Sequence, residues 1–358
     1  MKQIGFKPSG NYSSYQATSY WYIACRSAEV KKKPRCFRLW DTPIVIFRDA
    51  QGQAHTLLDR CPHRNVPLSI GKIVDGNLEC HYHGWQFDGS GHCKRIPADG
   101  PKQEQVGVRA TSFPTIEKQG YIWVYTDTKT APNHQPYTYE YVDHPDFISV
   151  RFQYDFSSTI FSVAENILDV PHTSFLHAGL FRSGKQRQVE WVRRSFDDHL
   201  VCEFLNEPRP SGLFGKIIAP QGGQVKHYDR FLLPGIAQVD YRLGKTGQIT
   251  TTSCLSPISD FHTRMYTVAT IRRSRLFFLI RPLMESIVRK IVKQDAYILE
   301  KQFENTRTFG GERFIHHKSD IMGSAIAKLL KQAAQERLAL YEADTSSPKS
   351  EIFGSVYS

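Results

Sequence analysis

Two short segments of the chain combine cysteine and histidine at spacings that suit an inorganic centre. The first runs from Cys61 to His63 and reads C-P-H; the second, after sixteen intervening residues, runs from Cys80 to His83 and reads C-H-Y-H. Cysteine sulfur and histidine nitrogen are the ligands that structural zinc and certain iron–sulfur clusters take in proteins. The four side chains therefore predict one metal centre that is held by two loops.

The order of the ligands decides between the two kinds of centre. Structural zinc sites usually group like ligands, as C-x2–4-C followed by H-x3–5-H. Here each loop supplies one cysteine and one histidine, which suits a [2Fe–2S] cluster because each loop then reaches both irons. We expect Cys61 and Cys80 on one iron and His63 and His83 on the other. A zinc site is the less favoured alternative.

A second set of candidate ligands lies in the pattern E-N-x-x-D-x-x-H-x4-H-x-G over residues 165–179. Asp169 and His172 are three residues apart and would share one face of a helix. His177 is five residues further on, about 140° around an ideal helix, so the two histidines meet at one metal only where the helix is broken. Pro171 supplies such a break. The segment predicts a second metal site, and two unrelated histidines are the alternative.

Two histidines leave an iron(II) site incomplete, because the facial triad of oxygen-activating iron enzymes takes two histidines and one carboxylate. A long helical pattern from about 276 to 306 contains Asp295 on the same stripe as apolar residues. A carboxylate in that position is unfavourable unless it is paired or bound to a metal. Asp295 is therefore the expected third ligand, and Glu300 and Glu304 are the alternatives.

The elements expected around these ligands divide the chain into five parts. A polar arm over 1–20 precedes alternating short strands over 21–127, which form an all-β domain around the first motif. A proline-containing linker over 128–147 leads to a second domain over 148–344, with further strands, a long helix and an amphipathic helix. The last residues, 345–358, are expected to form a frayed tail.

Composition and charge exclude several classes of function. The net charge is +11, but the basic clusters are small and none lies in a nucleic-acid-binding motif. A surface that binds an acidic redox partner is therefore a more specific hypothesis than one that binds nucleic acid. Neither an apolar leader nor an apolar run long enough to span a bilayer is present, which predicts a cytoplasmic protein without a transmembrane segment. Seven scattered cysteines argue against a disulfide framework.

Taken together, the two motifs resemble the catalytic oxygenase component of the Rieske non-haem iron oxygenases. The residues around the first ligand set carry the resemblance most specifically: Pro62, Arg64, Pro67, Leu68, Ser69, Tyr82, Gly84, Trp85 and Phe87. An early W-Y-I-A segment and a Q-D-x-x-x-L-E-x-Q stretch are similar to the group that includes vanillate O-demethylase, pheophorbide a oxygenase-like proteins and aminopyrrolnitrin oxygenase.

The resemblance implies a fold and an assembly. The expected fold class is α+β, an all-β Rieske iron–sulfur domain followed by a helix-grip (START-like) domain whose antiparallel sheet wraps long helices. The implied cofactors are a [2Fe–2S] cluster and a mononuclear Fe(II), and the implied assembly is a head-to-tail homotrimer in which one subunit's cluster faces its neighbour's iron. Asp169 would then carry electrons between subunits, and Asn166 would position it or contact substrate. The role of Glu165 is left open.

The activity implied by the resemblance is that of a terminal oxygenase. Electrons from NAD(P)H reach it through a reductase, a ferredoxin or both, and O₂ is used to hydroxylate, demethylate, desaturate or N-oxidise an apolar, aromatic or polycyclic small molecule. Two alternatives come from other classes. One is a Rieske-type electron-transfer protein without an oxygenase site, and the other is a zinc-stapled regulatory or nucleic-acid-binding protein.

Overall fold

The computed structural model describes residues 17–100, 107–177, 188–205, 225–243, 247–272, 275–335 and 350–357. Contacts within the chain divide it into two compact units, and the main boundary falls between Thr138 and Tyr139. That boundary lies inside the segment that the sequence marks as a linker. Among the described helices, none combines the length and apolar character needed to cross a membrane.

The first unit is built from short antiparallel strands. They are β1 (Trp21–Arg26), β2 (Arg35–Leu39), β3 (Thr42–Arg48), β4 (Ala54–Leu58), β5 (Lys72–Val74), β6 (Asn77–Glu79), β7 (Gln86–Phe87), β8 (Cys93–Arg95), β9 (Ser112–Phe113), β10 (Thr115–Lys118) and β11 (Tyr121–Tyr125). Their sheets have the orders β1-β11-β10, β2-β3-β4-β9 and β5-β6-β7-β8. The first motif's two ligand segments follow β4 and β6, so each is anchored at the end of a strand.

The hydrophobic core of the first unit includes both cysteines of the first motif. Its buried members are Val45, Phe47, Leu57, Cys61, Leu68, Leu78, Cys80, Phe87, Cys93, Ile96 and Ala110. Full burial of one such large apolar side chain stabilises a fold by about 1.5–3 kcal/mol. Close packing on all sides fixes the cysteine positions, which a metal centre with short, defined bonds requires.

The second unit is one eight-stranded antiparallel sheet with helices against it. Its strands are β12 (Phe147–Phe156), β13 (Gln188–Ser195), β14 (His199–Leu205), β15 (Val225–Leu232), β16 (Ile236–Leu243), β17 (Gly247–Ser259), β18 (His262–Arg272) and β19 (Ser350–Tyr357), and its helices are α1 (Ile160–Leu168), α2 (Thr173–Leu176), α3 (Arg275–Thr308) and α4 (Gly323–Gln335). The strand order is β12-β18-β17-β16-β15-β14-β13-β19.

Helix α1 packs on the central strands β15 to β18 and carries the first part of the second motif. The hydroxyl of Thr159 caps it by accepting from the N–H of Ser162 at 3.1 Å, which satisfies one of the free donors of its first turn. On β14, buried side chains alternate with partly exposed ones, as expected for a sheet covered on one face by helices. The predicted α+β class is therefore confirmed.

The end of the chain differs from the sequence-based expectation. Instead of a frayed tail over 345–358, the described part forms β19, which pairs antiparallel with β13 along its whole length. Nε of Arg194 on β13 lies 2.7 Å from Oε2 of Glu351 on β19. The pairing joins residues that lie far apart in the sequence. The polarity of the terminal segment by itself therefore does not predict a strand.

Candidate metal centres

The two loops that carry the first ligand set share one backbone arrangement. In each, the cysteine N–H donates to the carbonyl five residues later, 2.8 Å away for both Cys61 and Cys80. The N–H four residues after the cysteine donates back to the cysteine carbonyl, at 2.9 Å in the first loop and 3.0 Å in the second. Each loop is thus closed by two hydrogen bonds, and both present their side chains in the same way.

The residue four positions after each cysteine has a left-handed backbone. It is Asn65 in the first loop, with φ of 63°, and Gly84 in the second, with φ of 71°. Glycine and asparagine are the residues that adopt this conformation at least cost. The glycine of the H-G-W segment is therefore required by the turn that ends the ligand loop.

We predict that Gly84→Ala destabilises the first unit and loosens the ligand loop. A left-handed backbone costs about 1–2 kcal/mol for an ordinary L-residue, and the added Cβ would lie 2.9 Å from Cγ of Pro97. The free energy of unfolding, measured in denaturant, checks the size of the loss. Gly107→Ala is the matched control because a Cβ there meets nothing within 4 Å; equal losses for the two variants would contradict the explanation.

The two loops place the cysteines and the histidines at different depths. Cys61 and Cys80 are buried side by side, and burial raises the pKa of the Cys61 thiol to about 11, with the neighbouring Cys80 thiol contributing to the rise. The imidazoles of His63 and His83 lie further out, with ring centroids 4.7 Å apart. Two sulfurs together on the inside and two nitrogens together on the outside fit a [2Fe–2S] cluster with Cys₂ on the inner iron and His₂ on the outer iron.

Neighbouring side chains hold these ligands in place. Trp85 stacks on the His63 ring, with centroids 4.5 Å apart and planes within 7°. Asp59 accepts hydrogen bonds from both the N–H and the hydroxyl of Ser69, at 2.7 and 2.6 Å, and so ties the end of the first loop to the strand before it. Sequence reasoning did not single out Asp59, because its partner is ten residues away and no periodic pattern links them.

The second motif lies where the helix is broken, as its proline predicts. Helix α1 ends at Leu168, and the short helix α2 begins at Thr173. His172 occupies the N-cap position of α2, and His177 follows its last residue. The change of direction brings the two imidazoles together, with ring centroids 5.1 Å apart and planes at 76°. A continuous helix would have kept them on different faces.

The long helix α3 supplies the third side chain of this group. Oδ1 of Asp295 lies 3.0 Å from Nε2 of His177 and 3.6 Å from Nε2 of His172. The three ligand atoms all lie within 4.8 Å of one another. Neither alternative belongs to this group: Glu300 is exposed, and Glu304 pairs with a neighbouring lysine at 2.8 Å.

The hydrogen-bonding pattern of the group fits a cation. Nδ1 of His172 donates to the carbonyl of Asp169, and Nδ1 of His177 donates to Oε1 of Gln294 at 3.0 Å. In a neutral imidazole the Nε2 atom then carries a lone pair, and both lone pairs face the Asp295 carboxylate. Oδ1 of Asp295 is buried and has no hydrogen-bond partner among the described residues. Converging acceptors of this kind favour a bound cation, and two histidines with one carboxylate suit Fe(II).

When no metal is bound, a proton on His172 balances the negative charge of the neighbouring carboxylates. Burial lowers the pKa of His172, but its contacts with the carboxylates of Asp169 and Asp295 outweigh burial and raise the pKa to about 9. Burial raises the pKa of Asp295, and its contacts with His172 and His177 outweigh that effect and lower the pKa. The site is therefore electronegative enough to attract positive charge, which a divalent cation supplies.

Comparison with known families agrees with this geometry. Residues 20–114 match the Rieske [2Fe-2S] domain, and residues 156–336 match the vanillate O-demethylase oxygenase C-terminal domain. The second match alone covers half of the 358 residues. The chain belongs to the Rieske oxygenase family. The resemblance inferred from the two motifs is thereby confirmed.

Individual relatives show how far the similarity extends. Aminopyrrolnitrin oxygenase of Pseudomonas fluorescens is 26% identical over 291 residues, which are 75% of this chain and 78% of the relative. Chlorophyllide a oxygenase of Chlamydomonas reinhardtii is 36% identical over 169 residues, which are 46% of this chain but only 25% of the relative. The solved structure of dicamba monooxygenase bound to dicamba superimposes with a TM-score of 0.74 at 21% identity, covering 90% of this chain and 98% of that one, and so shows the shared fold.

In this Rieske oxygenase Gln294 holds the ring of His177, a contact that the sequence did not reveal. It precedes Asp295 on α3, so adjacent residues supply the carboxylate of the triad and hold one of its two imidazoles. Its Oε1 accepts from Nδ1–H of His177, which fixes the tautomer that leaves Nε2 free to bind a metal. The Q-D pair was visible in the sequence, but the partner of the glutamine was not.

We predict that Gln294→Leu weakens metal binding by about 10–100-fold, the range typical when the hydrogen-bond partner of a ligand is lost. Calorimetric titration with Co(II) of protein that holds its cluster but lacks the mononuclear iron measures the affinity of the triad without any need for turnover. Gln302→Leu, the same change two turns along the same helix, is the control. An unchanged affinity in the Gln294 variant would show that the amide does not orient His177.

The remaining residues of the second motif lie close to its two histidines. Asp169 is the C-cap residue of α1, and its Oδ2 accepts from the N–H of His172 at 3.1 Å and lies 3.3 Å from Nδ1 of that ring. Asn166 is one turn earlier and half-buried, and its carbonyl accepts from the N–H of Asp169 at 3.4 Å. The motif thus places a carboxylate directly behind His172.

Glu165 lies one turn before Asp169 and keeps its proton up to a higher pH than an ordinary glutamate does. Burial raises its pKa, and the charges of Asp169, Asp320 and Glu312 raise it further, to about 7. Because the folded-state pKa exceeds the ordinary value of 4.5, the folded protein binds this proton more tightly. Glu165 therefore makes the fold less stable as pH rises from about 4.5 to about 7.

We predict that Glu165→Gln removes part of this pH dependence. The amide stays neutral, so the midpoint of thermal unfolding should rise relative to the parent at pH 8 and change little at pH 5. Scanning calorimetry at both pH values tests the expectation. The exposed Glu300→Gln serves as a control, and a variant whose midpoint follows that of the parent at every pH would contradict the raised pKa of Glu165.

Proposed function

We propose that the chain is the terminal oxygenase component of a system that uses electrons from NAD(P)H and O₂ to oxidise an apolar, aromatic or polycyclic small molecule. The observation that carries the proposal is the convergence of His172, His177 and Asp295 in a chain that also sorts two cysteines and two histidines for a cluster. The names of relatives support the substrate class, since one is an aminopyrrolnitrin oxygenase and solved neighbours hold dicamba or caffeine.

Each ligand set would hold one cofactor. Cys61, Cys80, His63 and His83 would bind the [2Fe–2S] cluster, and the triad on α2 and α3 would bind Fe(II). When bound, the cluster supplies single electrons, and the iron activates dioxygen and leaves positions open for substrate. The protein's own part is to fix the ligands: Gln294 and the Asp169 carbonyl set the tautomers of the two triad histidines.

The finer part of the proposal concerns assembly. We infer a homotrimer in which the His63 and His83 rings of one subunit approach Asp169 of the next. Tyr82, beside His83, is 61% exposed, so this tip of the first unit is accessible to another chain. The Asp169 side chain is 30% exposed and already holds His172, and a carboxylate has lone pairs left for an incoming imidazole N–H.

The remaining partners follow from the activity. A reductase, a ferredoxin or both would deliver the electrons, and O₂ and the small molecule would meet at the triad. The relatives include chloroplast proteins, so the cytoplasmic location expected from the sequence remains a prediction. Hydroxylation, demethylation, desaturation and N-oxidation all remain within the proposed reaction class.

Metal and sulfide analysis of anaerobically reconstituted protein tests this function. An oxygenase holds about three irons and two sulfides per chain, whereas a pure electron carrier holds two of each and a zinc protein holds neither. Consumption of NADH and O₂ with a surrogate reductase, over a panel of aromatic acids, N-methylated heterocycles and polycyclic compounds, then identifies the substrate. Two irons with two sulfides would refute the oxygenase and leave a redox shuttle.

A further inference from the structure

A strip of basic side chains begins just before the edge strand β2 and continues along it. Its members are exposed and occur within residues 31–38, which contain no acidic residue: Lys31, Lys32, Lys33, Arg35 and Arg38. In the part of the chain that the structure describes, none of the five forms an ion pair with a carboxylate, and Arg38 donates to the backbone carbonyl of Asp41 at 3.0 Å. We call these five residues the basic strip. Its charge is available to a partner.

Two members of the basic strip, Arg35 and Arg38, lie on a strand beside the first ligand loop. Strand β2 packs against the short helix Leu68–Ile70, which ends the first ligand loop. Leu68 is fully buried in the core that contains Cys61 and Cys80. The strip includes neither of the histidines expected to bind the cluster.

We propose that the basic strip docks an acidic electron-transfer protein of the [2Fe–2S] ferredoxin type. The inference rests on the proposed function, because it needs the cluster as electron acceptor. Complementary charge raises the rate of encounter and orients the partner, and both effects weaken with salt. In the docked complex the reduced partner loses one electron, the cluster gains it, and no atom is transferred.

A structural role for the same charges makes a different prediction. Strand β2 ends its sheet, and charged side chains on such an edge prevent pairing with other chains. Edge protection works with either sign of charge, whereas docking of an acidic partner requires positive charge. Charge reversal therefore separates the two roles, since it keeps the edge protected and repels the partner.

The experiment measures binding of an acidic plant-type [2Fe–2S] ferredoxin to the cluster-loaded protein by calorimetry at several salt concentrations. The triple variant Lys32→Glu, Arg35→Glu and Arg38→Glu should bind about tenfold or more weakly at low salt and with a reduced salt dependence. The control triple Lys318→Glu, Lys328→Glu and Lys331→Glu makes the same change of charge at exposed sites in the second unit and should bind like the parent.

Reduction of the cluster by dithionite, followed by its visible absorption, checks that both triples carry an intact centre. If the strip triple is brown and reducible yet binds the ferredoxin as tightly as the parent, or if both triples lose affinity equally, the docking surface is refuted and the oxygenase function stands. If the parent protein forms no iron–sulfur chromophore, the proposed function fails and this inference fails with it.

Discussion

His172→Ala is expected to lose the mononuclear iron and keep the cluster. The substitution removes one of three ligands from a site whose members lie within 4.8 Å of one another, and it touches none of the four cluster ligands. Iron should fall from about three to about two per chain with sulfide unchanged. Turnover should fall by more than about 100-fold, beyond the range typical for loss of a residue that only orients a ligand.

Iron and sulfide analysis, together with the visible spectrum, checks this result. His316→Ala is the matched control, because His316 is an exposed histidine outside the triad and should be replaceable without effect on either centre. A His172 variant with a bleached cluster would mean that the residue supports folding or a shared site. A variant that retains three irons and normal turnover would remove His172 from the iron site altogether.

The sequence predicts a site most completely where the residues of that site lie close together in the chain. The first ligand set lies in one short stretch, so its composition and spacing alone favoured a cluster over zinc. The second histidine pair needed one structural inference, that Pro171 breaks the helix, and α1 indeed stops at Leu168. Asp295 was found because a carboxylate on an apolar helical stripe has to be explained, and the structure brings it to the two histidines.

What the sequence left undetermined depends on distant pairs. The hydrogen bond from His177 to Gln294 spans 117 residues, and no local pattern chooses a partner across that distance. The same holds for β19, whose pairing with β13 turns an apparently frayed end into a sheet edge. Tertiary contacts orient these side chains and stabilise short strands, and the periodicity of the sequence does not reveal such contacts.

Replacing Asp169 should separate electron transfer from metal binding. Asp169→Ala removes the carboxylate behind His172 but leaves the backbone carbonyl that accepts from its Nδ1, so the iron ligand keeps its tautomer and both metal centres should persist. Substrate-dependent O₂ consumption should nevertheless fall by about 100-fold, because the hydrogen-bonded link proposed between the subunits is gone. The cluster should still be reduced by the electron donor at the parent rate, since only the onward step is affected.

Asp169→Asn distinguishes a charged link from a structural one. The amide oxygen can still accept from the N–H of His172, so a purely structural role predicts that the asparagine variant recovers most of the turnover that alanine loses. A link that depends on the carboxylate charge and on its capacity to accept two hydrogen bonds predicts that asparagine remains nearly as slow as alanine. Rapid-mixing measurement of cluster reoxidation in the presence of substrate and O₂ assigns the loss to the transfer step, and normal reoxidation in both variants would remove Asp169 from the electron path.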